Sequence, residues 1–251
     1  MLKISIVTIC YNSAKTIEDT IKSVLNQNYN NIEYIVIDGG SNDGTQKIIN
    51  SYISQISYFV SEPDGGLYDA MNKGLKKCTG DVVGFINSDD FLSDKNVINE
   101  IARCFANFDT NIVYGDTRFV SREDKTKTTR YWKAGKYSEK KFKLGWMPPH
   151  LSTYIKKSLY DKHGYFRSDL NIAADYELLL RFIVKNKNSP FYLQKEIAVM
   201  RDGGISNSSL SNRFNSLIQV YKSWKINDLK VNPFIIVMKP LSKVSQFFIK
   251  N

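Results

Sequence analysis

Residues 84–92 read GFINSDDFL. An apolar run ends in two adjacent carboxylates, Asp89 and Asp90, and Phe91-Leu92 restores apolarity at once. Adjacent carboxylates raise each other's pKa unless solvent, a basic side chain or a metal ion offsets the charge. Other polar groups follow earlier apolar runs in the same way: Tyr11 and Asn12 after ISIVTIC, Asp38 after IEYIVI, and Asp64 just past ISYFV. Acids gathered at one edge, with only His150 and His163 as histidines, point away from a His-rich metal site or a Ser-His-Asp triad. They point to hard-metal chemistry, in which carboxylates and Mg²⁺ or Mn²⁺ hold the phosphates of a nucleotide. No GxxxxGK[ST] is present, and the turn after the first run is YNSAK rather than GxGxxG, so neither a P-loop nor a dinucleotide fold is expected.

Elements must bring these residues together. The spacing predicts strands over 3–10, 32–38, 56–60, 82–86 and 111–116, alternating with helices. The first helix is expected over 14–26 with Ser13 as its cap. Strand alternating with helix argues for an α/β chain with a mostly parallel sheet flanked by helices, where ligands bind beyond the carboxyl ends of the strands. Residues 117–150 read as irregular and basic, 174–185 as one helix carrying Asp175 in its first turn, 191–200 as a strand and 209–226 as a helix. The tail NPFIIVMKPLSKVSQFFIKN is apolar with interspersed lysines, too short to span a bilayer, and interrupted by Pro240.

The chain has 251 residues and a net charge of +10, unevenly placed. Residues 1–100 hold 8 Lys against 13 Asp or Glu (−5), which leaves 27 Lys or Arg against 12 acids (+15) for the rest. A uniformly basic nucleic-acid binder would not divide this way, and two surfaces with different partners would. Cys10, Cys78 and Cys104 are odd in number and lie in apolar contexts, as expected of reduced core thiols in the cytoplasm.

Several motifs in order carry a family resemblance. VTICYNSAKTIEDTIKSVLNQNYNNIEYIVIDGGSNDGT, SEPDGGLYDAMNKGL and GDVVGFINSDDFL resemble family 2 glycosyltransferases of the GT-A fold. PPHLSTYIKKSLYDKHGYFRSDLNIAADYELLLRF is similar to the downstream half of those that build bacterial surface polysaccharides. The resemblance covers residues 3 to about 185, plus GGIS at 203–206. It implies that Thr8, Tyr11, Asn12 and Asp38 hold the base and ribose of a nucleotide sugar, with Asp38 accepting from the uracil. It implies further donor contacts from Asp64, Asn72, Lys73, Asp89, Arg201 and Ser206. NSDD stands where the family has Asp-x-Asp, so Asn87 replaces the first acid, and metal contacts are expected from Asp89 first and Asp90 second. Asp175, alone a first-turn acid suited to a helix dipole, stands at the position of the family's catalytic base. His150 is either a loop-packing residue or a contact to acceptor or metal.

The resemblance thus implies an inverting, Mn²⁺- or Mg²⁺-dependent enzyme that moves one sugar, from a UDP-sugar, to a lipid-linked oligosaccharide at the inner face of the cytoplasmic membrane. Three regions are expected: 1–116 for the nucleotide sugar, 117–207 for acceptor and base, and 208–251 as a basic helical extension that can associate with an anionic membrane. A dimer is left open. A nucleotidyltransferase would also use strand-end acids and a metal, but would want a phosphate-gripping loop that YNSAK does not supply. A nucleic-acid binder would use the basic half and leave the strand-end acids unexplained.

Overall fold

The computed structural model describes residues 1–203, 210–231, 233–241 and 246. The chain alternates β1 (Ile4–Cys10), α1 (Ile17–Leu25), β2 (Ile32–Asp38), α2 (Thr45–Asn50), β3 (Tyr58–Ser61), α3 (Leu67–Lys77) and β4 (Val82–Asn87). Then come β5 (Phe91–Leu92), α4 (Val97–Asn107), β6 (Ile112–Val120), β7 (Thr128–Trp132), α5 (Glu139–Lys143), β8 (Thr153–Lys156) and α6 (Lys157–His163). Last are α7 (Ala174–Leu179), β9 (Phe191–Arg201), α8 (Leu210–Ile226) and α9 (Ile235–Leu241).

All described strands join one sheet in the order β3-β2-β1-β4-β8-β6-β9-β5, with β7 paired to β6. The first four run parallel, with Ile4 beside both Ile32 and Val82. Every residue of β1 is buried, because helices cover both faces of this half; that is why its sequence is continuously apolar rather than alternating. β8 is antiparallel to both β4 and β6, which returns β6 to the direction of β4. Gly84 in β4 makes this join: a Cβ there would lie 2.2 Å from the Tyr154 ring of β8.

Three expectations change. Ser13 does not cap α1 through its side chain. Its carbonyl accepts from Thr16 and Ile17, and the helix begins at Ile17. Its hydroxyl instead pairs with Ser88 Oγ at 2.7 Å, which ties the β1 exit to the acidic turn. Residues 117–150 are not irregular. β6 runs on to Val120 and forms a bulged hairpin with β7, where the Arg130 guanidinium lies 3.6 Å over the Phe119 ring. Charged side chains with long apolar stems packed there, hiding the strand signal. The helix at 174–185 is α only to Leu179 and continues as a π-helix over Leu180–Lys185.

The C-terminal region packs on this frame. Val220 and Trp224 of α8 are buried, and Trp224 Nε1 donates to Tyr176 Oη at 2.9 Å. Ile235 of α9 is buried, and Lys239 Nζ sits 4.0 Å over the Tyr176 ring. Among the described residues no helix is long and apolar enough to cross a membrane.

Candidate active site

The parallel strands β1 to β4 end together, so their exits share one edge. Tyr11 stands at the exit of β1 and is 64% exposed. Opposite it, Gly39 follows β2. A Cβ on Gly39 would lie 2.6 Å from Asp64 Oδ2 and 3.4 Å from the Tyr11 ring, so only glycine leaves this gap open. Asp64 is oriented by accepting from the Gly66 N–H at 2.8 Å. An aromatic face opposite a carboxylate, across bare backbone, suits a nucleobase.

Asp38 does not face that gap. It is fully buried and accepts from Ser41 N and Oγ, Ser61 Oγ and Cys10 Sγ. The carboxylate therefore braces the turn after β2 rather than reaching a base. Burial, and then the neighbouring Asp38 charge, push the Cys10 thiol up, so it stays a protonated donor. Thr8 is also withdrawn: it is buried and accepts from Tyr34 Oη at 3.1 Å. Asn12 takes a left-handed backbone (φ 48°), and its side chain accepts from Asn42 N at 3.0 Å, so it pins the two exits together.

Asn72 and Lys73 also turn out to be spoken for. Asn72 exchanges hydrogen bonds with both the N–H and the C=O of Phe166. Lys73 pairs with Glu62 at 2.9 Å and donates to the Pro63 carbonyl. Both side chains hold neighbouring chain in this structure.

At the exit of β4 the two adjacent acids separate. Asp89 is partly exposed and accepts from Arg122 Nη2 at 2.7 Å. Asp90 is 2% exposed; its carboxylate accepts from Arg201 N at 2.9 Å and Asn87 Nδ2 at 3.3 Å. Burial first, then the Asp89 charge, hold its pKa well above the usual carboxylate range. Asp90 thus points inward and is not a second metal ligand in this arrangement. Arg201 is buried too, donating to the Asp89 carbonyl at 2.6 Å and to the Asp19 carboxylate, and so it braces the turn instead of meeting a donor. Ser206 lies outside the described residues.

Among the described residues no group of three or more His, Cys, Asp or Glu could by itself hold a metal. Yet Asn87 Oδ1 is buried without a hydrogen-bond partner, two residues from Asp89. An unmatched amide oxygen near a carboxylate fits a hard cation that takes its remaining ligands from phosphates and water. Asn87 and Asp89 would be the protein ligands of a Mg²⁺ or Mn²⁺ that arrives with a nucleotide.

Asp175 stands at the start of α7, where its Oδ1 accepts from Tyr68 Oη at 3.2 Å and Tyr176 N at 2.8 Å. Burial, then the Asp175 charge, raise the Tyr68 pKa, so Tyr68 remains a donor. His150 is half-buried, stacked on Phe85 (5.7 Å) and edge-on to Phe166 (5.5 Å). Burial pushes its pKa down against the pull of Asp175, so it is neutral at pH 7. Sequence reasoning missed Tyr68, Asp19 and Arg122. Tyr68 lay within the quoted GGLYDAMNKG segment, and Arg122 was one of many cations in a stretch read as irregular and basic.

Comparison with known proteins identifies the family and the fold. Residues 5–162 match glycosyl transferase family 2. An uncharacterized glycosyltransferase of Mycobacterium tuberculosis is 34% identical over 183 residues, covering 71% of this chain and 68% of that protein. S. aureus TarS 1–349 in complex with UDP-GlcNAc superposes with a TM-score of 0.71 at 19% identity, covering 95% of this chain and 72% of that one. This chain spans only 44% of the longer TarS structure. A mannosyltransferase from Pyrobaculum calidifontis, in complex with GDP-Man and Mn²⁺, gives 0.67 at 16% identity, covering 96% of this chain and 69% of that one. The chain is a glycosyltransferase built on a GT-A-like α/β sheet, and it belongs to glycosyl transferase family 2.

Proposed function

We propose that this enzyme inverts the anomeric carbon as it moves one sugar from a UDP-sugar to a lipid-linked saccharide during surface polysaccharide synthesis. The carrying observation is Asp175 held by Tyr68, a residue of the first turn after the Asp64 loop. That link sets a candidate base beside a candidate donor pocket.

In this reading residues 1–116 supply the donor half and 117–207 the acceptor half. Tyr11, Gly39 and Asp64 receive the base. Asp175 takes the proton of the acceptor hydroxyl as that oxygen bonds to the anomeric carbon. The bond from that carbon to the diphosphate oxygen breaks, and its electron pair leaves with the diphosphate. Attack from the face opposite the leaving group inverts the centre. A base is needed because a sugar hydroxyl has a pKa far above 7. His150, neutral and packed on Phe85 and Phe166, is assigned to the acceptor half in this reading. A divalent cation bound at Asn87 and Asp89 would supply charge that favours the departing diphosphate over the ground state.

The described part of the extension, from Leu210, packs on the domain through Trp224 and Ile235 and also exposes Phe214 (61%), Ile218 (45%) and Phe234 (67%). These exposed apolar side chains fit peripheral contact with a membrane and an acceptor presented at the inner leaflet. Incubating the protein with a panel of nucleotide sugars and Mn²⁺ tests the donor class. Release of UDP from one UDP-sugar supports the reading; release of GDP alone, or of no nucleotide, overturns it. Salt-sensitive co-sedimentation with anionic liposomes supports the membrane part, and its absence refutes it.

A further inference from the structure

Asp89 at the exit of β4 and Asp19 in the first turn of α1 are already matched by cations of two kinds. Arg201 lies beneath them, buried and fixed by Asp19 and by the Asp89 carbonyl. Arg122 and Lys125 reach in from the loop of the β6–β7 hairpin, and both are more than half exposed. Arg122 Nη2 meets Asp89 Oδ2 at 2.7 Å, and its Nε donates to the Asp202 carbonyl at 3.1 Å. Lys125 pairs with Asp19 at 3.0 Å. The loop is closed by a Ser121 N–H bond to the Lys127 carbonyl, and Asp124 accepts from Thr126 within it.

The partly exposed carboxylate of the β4 exit is therefore occupied by a guanidinium. An exposed pair of this kind holds weakly, so a divalent cation brought by a nucleotide can take Asp89 from it. The displaced guanidinium would stay at the site, because Lys125 still anchors the loop to Asp19. A planar guanidinium beside a metal-bound diphosphate is matched to phosphate oxygens. Arg201 cannot do this, since its contacts are internal.

We propose that Arg122 is a diphosphate-binding residue that rests on Asp89 in the empty enzyme and exchanges that carboxylate for the donor's diphosphate when the metal enters. This rests on reading Asp89 as a metal ligand. The exchange makes Arg122 a competitor of the free metal and a partner of the loaded donor. These opposite effects separate it from a residue that merely stabilises the hairpin.

Calorimetry on the full chain tests it, with Mn²⁺ alone and with UDP at saturating Mn²⁺. Arg122→Ala is expected to bind Mn²⁺ alone about two- to five-fold more tightly. The same variant is expected to bind UDP about tenfold more weakly. Arg122→Lys should restore the competition for metal but only part of the UDP affinity, because an ammonium lacks the planar fork. Unchanged Mn²⁺ affinity in Arg122→Ala overturns the proposal, and so does unchanged UDP affinity. Asp89→Ala distinguishes the two failures. If it loses Mn²⁺ binding while Arg122→Ala changes nothing, the Arg122 proposal alone falls. If it binds Mn²⁺ like the parent, the metal reading beneath it falls as well.

Discussion

Tyr68 donates a hydrogen bond to Asp175 across 3.2 Å, although the two residues are 107 apart in sequence. Tyr68 lies in the first turn of α3, and Asp175 lies in the first turn of α7. Asp175→Asn should therefore lower kcat by about 10²-fold with UDP affinity nearly unchanged, as expected for loss of a general base. Tyr68→Phe should lower kcat by a smaller factor, about three- to tenfold, again without weakening UDP. Steady-state kinetics with parallel UDP titration measure both. Turnover of Asp175→Asn within a few-fold of the parent would reduce Asp175 to a helix-start residue.

Asp89 and Asp90 should respond differently. Asp89→Ala is expected to abolish metal-dependent UDP binding, while Asp90→Asn keeps most of it, since Asp90 points inward. Asp90→Asn should instead alter the dependence of stability on pH. The folded pKa of Asp90 is raised, so the folded state holds the proton after the unfolded chain has released it. Stability contributed by this group therefore falls as pH rises from the ordinary carboxylate range toward the folded pKa. Denaturant melts from pH 4 to 8 should show the variant gaining on the parent as pH rises.

Glu33 has the opposite sign. Burial pushes its pKa up, but hydrogen bonds from Lys3, Ser5 and Thr79 outweigh that and hold it at about 2. Its contribution is present above the ordinary carboxylate pKa and lost as pH falls toward 2. Glu33→Gln should cost about 2–3 kcal/mol near pH 7. The difference should shrink steadily below about pH 4.5. A variant whose deficit is the same at pH 3 and pH 7 would contradict this.

The C-terminal segment should contribute to folding as well as to any surface contact. A chain ending at Asn232 loses Ile235, which is buried, and Lys239 over Tyr176. Its melting temperature should drop by about 5 °C, the scale expected for one buried aliphatic side chain in a domain of this size. Calorimetric scans of the two chains decide it.

The parallel half of the sheet was legible because strands buried on both faces advertise themselves as unbroken apolar runs. Acids at their exits were legible for the same reason, since polarity returns abruptly there. Orientation was not. Asp38 and Asp64 look alike in sequence, yet Ser41, Ser61 and Cys10 turn the first inward while Gly39 leaves the second beside Tyr11. Asp89 and Asp90 are adjacent in the turn between β4 and β5, which is closed by an Asp90 N–H bond to the Asn87 carbonyl, and only the folded turn leaves one partly exposed and buries the other. Arg122 lay hidden because a cation on a hairpin gains meaning only from what faces it.

The insertion of β8 between β4 and β6 has a mechanical consequence. The parallel strands β1 to β4 and the strands that carry the Arg122 hairpin are hydrogen-bonded into one continuous plate. Two lobes cannot swing about a hinge here without tearing backbone pairs. Whatever travel the catalytic cycle requires must be local, made of side-chain swaps and loop movements over a stiff floor. Such an enzyme would lose activity on rigidifying its loops long before any change in the sheet was felt.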